Sequence, residues 1–295
     1  MNVLNQLILE AKNNNDKLAI MDFNHFSEIK VNLDKMGFPT ERYFDFSPRL
    51  EEGFDVCSVI IVAYATPLVS MEFMINGESK LFYISPGYNS QHNKEKIIFD
   101  YLSPILLKNG HNLSMAKKLP CKPVAVHTGL GVYGRNNIVY VDNMGSFCRF
   151  SLYLTDLSSD EAFFDEEANQ KNKESCAECN ICLNECPTTA LNNNQYNLDI
   201  SRCLCWMTLM DVGSPEWVNP EWHNALLGCM SCQRKCPQNA DFVKNIVNIG
   251  KYDETQTKAL LEDTADEELI ASLGCGAYNR LIPRNLRTLL GFLGN

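Results

Sequence analysis

Nine of the thirteen cysteines fall between Cys176 and Cys236, too dense a clustering for residues that merely fill a core. In CAECNICLNECP, residues 176–187, Cys176, Cys179, Cys182 and Cys186 follow the pattern C-x-x-C-x-x-C-x-x-x-C, with a proline after the last. Paired C-x-x-C units can hold zinc in a closed tetrahedral site, but zinc ribbons use two separated pairs with no proline behind a tightly spaced fourth cysteine. The run matches instead one in which three thiolates wrap a 4Fe-4S cube and the fourth points away to a neighbouring cluster. A second short run is then required, and GCMSCQRKCP supplies it with Cys229, Cys232 and Cys236, again followed by proline. Crossed ligation assigns Cys176, Cys179, Cys182 and Cys236 to the first cluster and Cys186, Cys229 and Cys232 to the second. The second set is one thiolate short. Between the runs ISRCLCWMTL offers Cys203, the favoured ligand, and Cys205, the alternative. Two adjacent cubes form a path for electrons, which zinc, having no redox chemistry, does not.

The elements that position this module must come from the rest of the 295 residues. The segment VLNQLILEAKNNN has helical apolar spacing, DVCSVIIVAYA (55–65) reads as a buried strand, and residues 94–108 again look helical. Residues 137–157 alternate and break at Asn143 and Gly145, which indicates two strands joined by a turn. The division expected is a sheet domain over 1–157, a double-cluster module over 158–240 opened by an acidic connector, and a helical C-terminal segment over 241–295 packing on the core. The charge runs of that last segment read as solvated faces. Cys57, Cys121, Cys148 and Cys275 stand alone and read as small buried hydrophobes, Cys57 inside its apolar run above all.

No apolar run approaches the roughly 20 residues of a membrane helix, and the start MNVLNQLILEAKNNND lacks the basic region of a signal peptide. A cytoplasmic protein without membrane contact is expected. The net charge of −10 argues against broad contact with nucleic acid.

KPVAVHTGLGVYGRNNIVYV, residues 122–141, matches G-x-G-x-x-G by letters. A strand follows where a dinucleotide-binding turn demands a helix, so on spacing alone Gly129, Gly131 and Gly134 describe a tight turn.

HTGLGVYGRNNIVYVDNMGSFCRFSLYLTDL, the double cysteine run and the terminal RNLRTLLGFLGN together resemble the epoxyqueuosine reductase family, relatives of the corrinoid reductive dehalogenases. The resemblance covers roughly residues 85–295 and is specific in the order of its motifs. It implies an α+β fold, an α/β nitroreductase-like sheet domain carrying a bacterial-ferredoxin-like double 4Fe-4S module, with a cobalamin-type corrinoid beside two 4Fe-4S clusters. It also implies that Gly129, Gly131, Gly134, Arg135 and Asn136 lie near the corrinoid and substrate, and that a low-potential donor such as ferredoxin or flavodoxin feeds the clusters.

The chain departs from that family where protons are handled. Epoxyqueuosine reductases carry an aspartate proton donor before the loop, yet residues 113–126 contain no carboxylate. Val132 replaces the family's tryptophan and Arg135 its lysine; Tyr133 and His127 are the candidate substitutes for the missing acid. Asp142 is the single acid between 114 and 150, among Lys117, Lys118, Lys122, Arg135 and Arg149, a basic stretch that reads as enough for a phosphate-bearing cofactor tail and thin for tRNA. The expectation is a corrinoid-dependent reductase of a small molecule, with tRNA an unlikely partner. A non-catalytic electron-transfer or corrinoid-reactivating protein and epoxyqueuosine reduction on tRNA are the alternatives.

Overall fold

The computed structural model describes residues 2–35, 40–46, 50–51, 53–158, 174–192, 198–210 and 215–291. Most of the acidic connector and the final Gly294 and Asn295 lie outside these described residues.

Strand β4 (Ser58–Ala65) is buried at every position but its last, which is why its sequence is continuously apolar instead of alternating. It pairs antiparallel with β1 (Lys17–Asp22) on one side and β10 (Cys148–Thr155) on the other, and β7 (Leu113–Met115) lies beyond β10. Both faces of this sheet are covered by helices. Ile60, Val62 and Tyr64 meet Leu7 of α1 (Val3–Asn13) and Ile98, Leu102 and Leu106 of α4 (Glu95–Lys108). Val59 and Ile61 meet Phe26 and Ile29 of α2 (Phe26–Lys35) and Val124 of α5 (Cys121–His127). Helix α1 begins where the Asn2 side chain accepts the Asn5 N–H, and its buried Leu4, Leu7 and Ala11 recur at the helical period. A one-turn α3 (Thr40–Tyr43) follows α2, and β2 (Leu50–Glu51) pairs with β3 (Phe54–Asp55).

Cys57 is exposed, one residue ahead of β4, so its reading as a buried hydrophobe is corrected; Cys275 is buried. The strand starts later than the apolar run because Cys57 N–H is already committed to Thr155 O.

A second sheet joins distant segments. β5 (Leu68–Ile75) and β6 (Glu78–Ile84) form a hairpin through Asn76 and Gly77, both at positive φ, the pattern of a type I′ turn. β11 (Ile246–Tyr252) adds parallel to β5. The segment 241–295 therefore opens with a strand, against the helical reading, because its exposed Ile246 and Val247 extend the edge of β5 instead of filling a helix face. α9 (Glu254–Leu261), α10 (Glu267–Ser272) and α11 (Ile282–Leu289) then pack on this sheet around Phe73, Leu260 and Leu286. A capping box between Asp253 and Gln256 starts α9.

The cysteine module is built from one-turn helices α6 (Ile181–Asn184), α7 (Leu204–Met207) and α8 (Ser231–Arg234), and the hairpin β8 (Val132–Tyr133) with β9 (Val139–Tyr140) lies against it. Its own apolar core is small, Leu204, Met207 and Val218 with Trp222 and Cys229 against them. Among the described residues no helix is long and apolar enough to cross a membrane.

Candidate metal centre and adjoining cleft

The two runs fold alike: Cys182 and Cys232 each occupy the second position of a one-turn helix, α6 and α8, and these helices touch. Burial pushes the Cys182 thiol up to about 11, and the thiols adding to that push are Cys176, Cys179 and Cys236. Cys232 is driven up by burial and then by Cys229, Cys203 and Cys186, with Cys182 the weakest contributor. Cys182 thus has Cys176, Cys179 and Cys236 as neighbours and Cys232 has Cys229, Cys203 and Cys186, with each other's run still within reach. Burial raises these thiols first and crowding adds to it: thiolates so close repel unless a cation compensates. Zinc at about 2.3 Å from each sulfur would need sulfurs about 3.8 Å apart, whereas among the described residues no three of these thiols gather within 4.8 Å of one another. The wider groups could hold cubes.

Cys203 caps the start of α7 and belongs to the group around Cys232. Cys205 lies beside that group, and the Tyr88 hydroxyl stands 3.1 Å from its sulfur. The Cys203 thiol also hydrogen-bonds Cys205, an interaction that raises Cys203 and lowers Cys205.

Loops with so little core need outside support, and two Arg-Asn pairs give it. Arg135 donates to Cys179 O at 3.0 Å and to Asn180 Oδ1 at 2.8 Å. Buried Asn136 donates to Cys232 O at 3.3 Å and to the Tyr140 hydroxyl at 3.0 Å, and that hydroxyl donates to Cys236 Sγ at 3.3 Å. At the far end of the chain Arg284 donates to Met210 O and Thr208 O, while Asn285 donates to Thr208 O and Leu226 O. These contacts fix the end of α7 and the approach to Cys229. The reading of the C-terminal basic run as a solvated face is corrected for Arg284 and Asn285. On the second group Asn224 donates to Cys229 Sγ at 3.4 Å.

The glycines of the loop serve this clasp. A Cβ on Gly131 would stand 2.5 Å from Val139 Cγ1, and one on Gly134 2.5 Å from Tyr140 Cε2, so both glycines let the hairpin's arms close on each other. Gly129 supplies a left-handed residue where α5 ends. Arg135 and Asn136, expected near a corrinoid and substrate, donate to backbone carbonyls of the two cysteine runs.

Two cations, Lys122 and Arg149, lie near Cys121 at the start of α5. Lys122 stands close enough to act on the Cys121, Cys148 and Cys205 thiols together. Arg149 likewise acts on Cys121, Tyr64 and His92, and its guanidinium donates to Asn89 O at 2.6 Å. Burial and then the neighbouring Cys121 push the Tyr133 phenol up to about 12. His127, the other candidate acid, is fully buried and meets His25, ring centroids 5.1 Å apart. Sequence reasoning missed Tyr88, Tyr140, Asn224 and the terminal Arg284-Asn285; the repeated Arg-Asn dipeptide was the available signal for the last.

In anaerobically reconstituted protein, Cys203→Ser is expected to lose about half the iron and Cys205→Ser to retain it, as read by iron assay. Arg135→Ala lowers iron retention, since the Cys179 loop loses its clasp. Tyr140→Phe keeps its iron but lowers the midpoint potential of one cluster in an EPR-monitored titration, because an O–H donated to a cluster sulfur favours the more negative, reduced state.

Comparison with known proteins bears on the same residues. A 4Fe-4S double cluster binding domain matches residues 175–239. The chain is 32% identical over 118 residues to the epoxyqueuosine reductase of Staphylococcus aureus and 34% identical over 119 residues to that of Pseudomonas aeruginosa. These matches span 40% of this chain but only 29% and 31% of the relatives. The epoxyqueuosine reductase of Streptococcus thermophilus superposes with a TM-score of 0.70 at 18% identity, covering 99% of this chain and 82% of that one. Another epoxyqueuosine reductase with the same score and identity was solved with a tRNA-Tyr epoxyqueuosine-modified stem loop. That finding overturns the expectation of a small-molecule substrate with tRNA an unlikely partner. The chain thus carries a double 4Fe-4S cluster-binding domain within the fold of the epoxyqueuosine reductases.

Proposed function

We propose that this chain reduces epoxyqueuosine carried on tRNA, with Cys176, Cys179, Cys182 and Cys236 holding one 4Fe-4S cluster and Cys186, Cys203, Cys229 and Cys232 the other. What supports this reading is the gathering of thiols around Cys182 and around Cys232, on loops that Arg135 and Asn136 hold from one turn. The reaction removes the epoxide oxygen as water and leaves an alkene, consuming two electrons and two protons; the clusters relay the electrons singly from an external low-potential donor.

The residues near Cys121 suit a corrinoid by their chemistry: Lys122 and Arg149 are cations that would hold a phosphate-bearing tail. When bound, the corrinoid would supply a low-valent cobalt nucleophile. This chain's residues do the rest. Tyr133 keeps its proton at neutral pH, since its phenol is held near 12, and so stands as an O–H donor where the family's aspartate is missing. The β8–β9 hairpin holds Tyr133 in place relative to the cysteine loops, because the same hairpin carries the Arg135-Asn136 clasp.

For the tRNA, an open cavity of about 570 Å³ adjoins the segment leading into α5. Lys30, Arg42 and Lys118 bring cations to it and Tyr43, Phe44 and Phe46 bring aromatic faces, with Glu41 and Asp45 on the rim. Cations interleaved with aromatic rings are the means by which unstacked bases and their phosphates are held.

The test is anaerobic reconstitution with iron, sulfide and hydroxocobalamin, followed by a low-potential reductant and an epoxyqueuosine stem loop. Retained cobalt and loss of one oxygen from the nucleoside by mass spectrometry are expected; full iron with no retained cobalt and no conversion overturns the reading in favour of an electron carrier. Tyr133→Phe should lower kcat by about a hundredfold or more at unchanged iron and cobalt content. Replacing both Arg42 and Lys118 by alanine should weaken stem-loop binding and flatten the slope of log affinity against log salt by about one for each phosphate no longer neutralised.

A further inference from the structure

His127 is left without a part in this chemistry, and the structure places it in a different company. His25 and Glu28 stand three residues apart across the start of α2, and His127 is the last residue of α5. One ligand atom from each lies within 4.8 Å of the other two. His25 Nδ1 is 3.7 Å from Glu28 Oε1, and the two imidazoles sit with centroids 5.1 Å apart, tilted by 53°. We propose that His25, Glu28 and His127 form a mononuclear site for a divalent first-row cation, separate from the iron–sulfur clusters.

Two imidazoles and a carboxylate are the donor set of open zinc and related sites, where three protein ligands leave a fourth position to water. Ligand atoms each about 2.1 Å from one ion are at most about 4.2 Å apart, so a small side-chain movement closes this trio. The burial gradient says which side chain moves. His127 is fully buried and locked in the core beside Val124 and Val126, the His25 side chain is 28% exposed, and that of Glu28, at 58%, is free to swing inward. The ion would tie the start of α2 to the residue just before the turn into the β8–β9 hairpin, where Arg135 and Asn136 grip the cluster loops. The competing arrangement is a tilted histidine pair with a helical His-Glu contact that binds no metal.

The protein is first loaded with its full iron, so that the cluster thiols are occupied, then dialysed against micromolar zinc chloride, desalted and assayed for zinc and iron together. About one zinc per chain beyond the iron is expected in the wild type, with a rise in Tm on zinc addition. Both effects should be lost in His25→Ala and in Glu28→Ala at unchanged iron content, since neither side chain fills the core. Zinc at background in the wild type overturns the site. Zinc held equally by both variants also overturns it, and places the ion at another imidazole-carboxylate contact such as His111–Asp156.

Discussion

The cysteine loops enclose almost no apolar core, and their thiols stand close enough to raise one another. Metal can offset that crowding but cannot choose where the loops sit relative to the sheet domain; hydrogen bonds from the surrounding domain do that. Arg135 and Asn136 reach one carbonyl in each cysteine run, so a single turn sets both runs at once. Arg284 and Asn285 reach the end of α7 and the strand-like segment before Cys229. Hydrogen bonds from a charged donor to a buried carbonyl are among the stronger ones a protein can make, and removing either partner leaves a buried polar group unsatisfied.

The two cysteine runs are legible in the sequence because each rests on spacing within ten or so residues, a local property. The same is true of the buried β4, whose unbroken apolar run can sit only inside a sheet covered on both faces. What spacing does not convey is contact between distant segments. Arg135 is 44 residues from Cys179, and Arg284 is 76 from Thr208, so each looks like a surface charge until the chain is folded. β11 joins the second sheet for a similar reason: its partner, β5, lies far upstream, and edge pairing overrides a segment otherwise rich in helix. Cys57 misses the strand by a single residue, at the point where backbone pairing with Thr155 begins before the strand does.

The nucleic-acid partner proposed for this chain is hidden from a reading of total charge. A net charge of −10 describes the far field, which salt screens within about 10 Å at moderate ionic strength. A nucleic acid responds to the face it docks on. Lys122 and Arg149 both lie near Cys121, and Lys30, Arg42 and Lys118 line a cavity with Glu41 and Asp45, while Glu267 and Asp263 pair with arginines of the C-terminal segment. Some of the acids in the total are thus engaged by intramolecular partners, and the total says little about any one face.

On the proposed reading the missing aspartate is a change of donor type, with Tyr133 in its place. A carboxylic acid near its usual range gives up a proton readily but spends most of its time ionised at neutral pH. The Tyr133 phenol, held near 12 by burial, is a weaker acid that is always loaded. Such a donor suits a step in which strongly basic charge develops on the substrate, since the proton then moves downhill even from a phenol. It also sits on β8, the strand of the hairpin that clasps the cluster loops, so donor and electron source are held by the same few backbone bonds. An aspartate on a separate loop would need that loop to be placed independently; here the position of the proton follows from the position of the clusters.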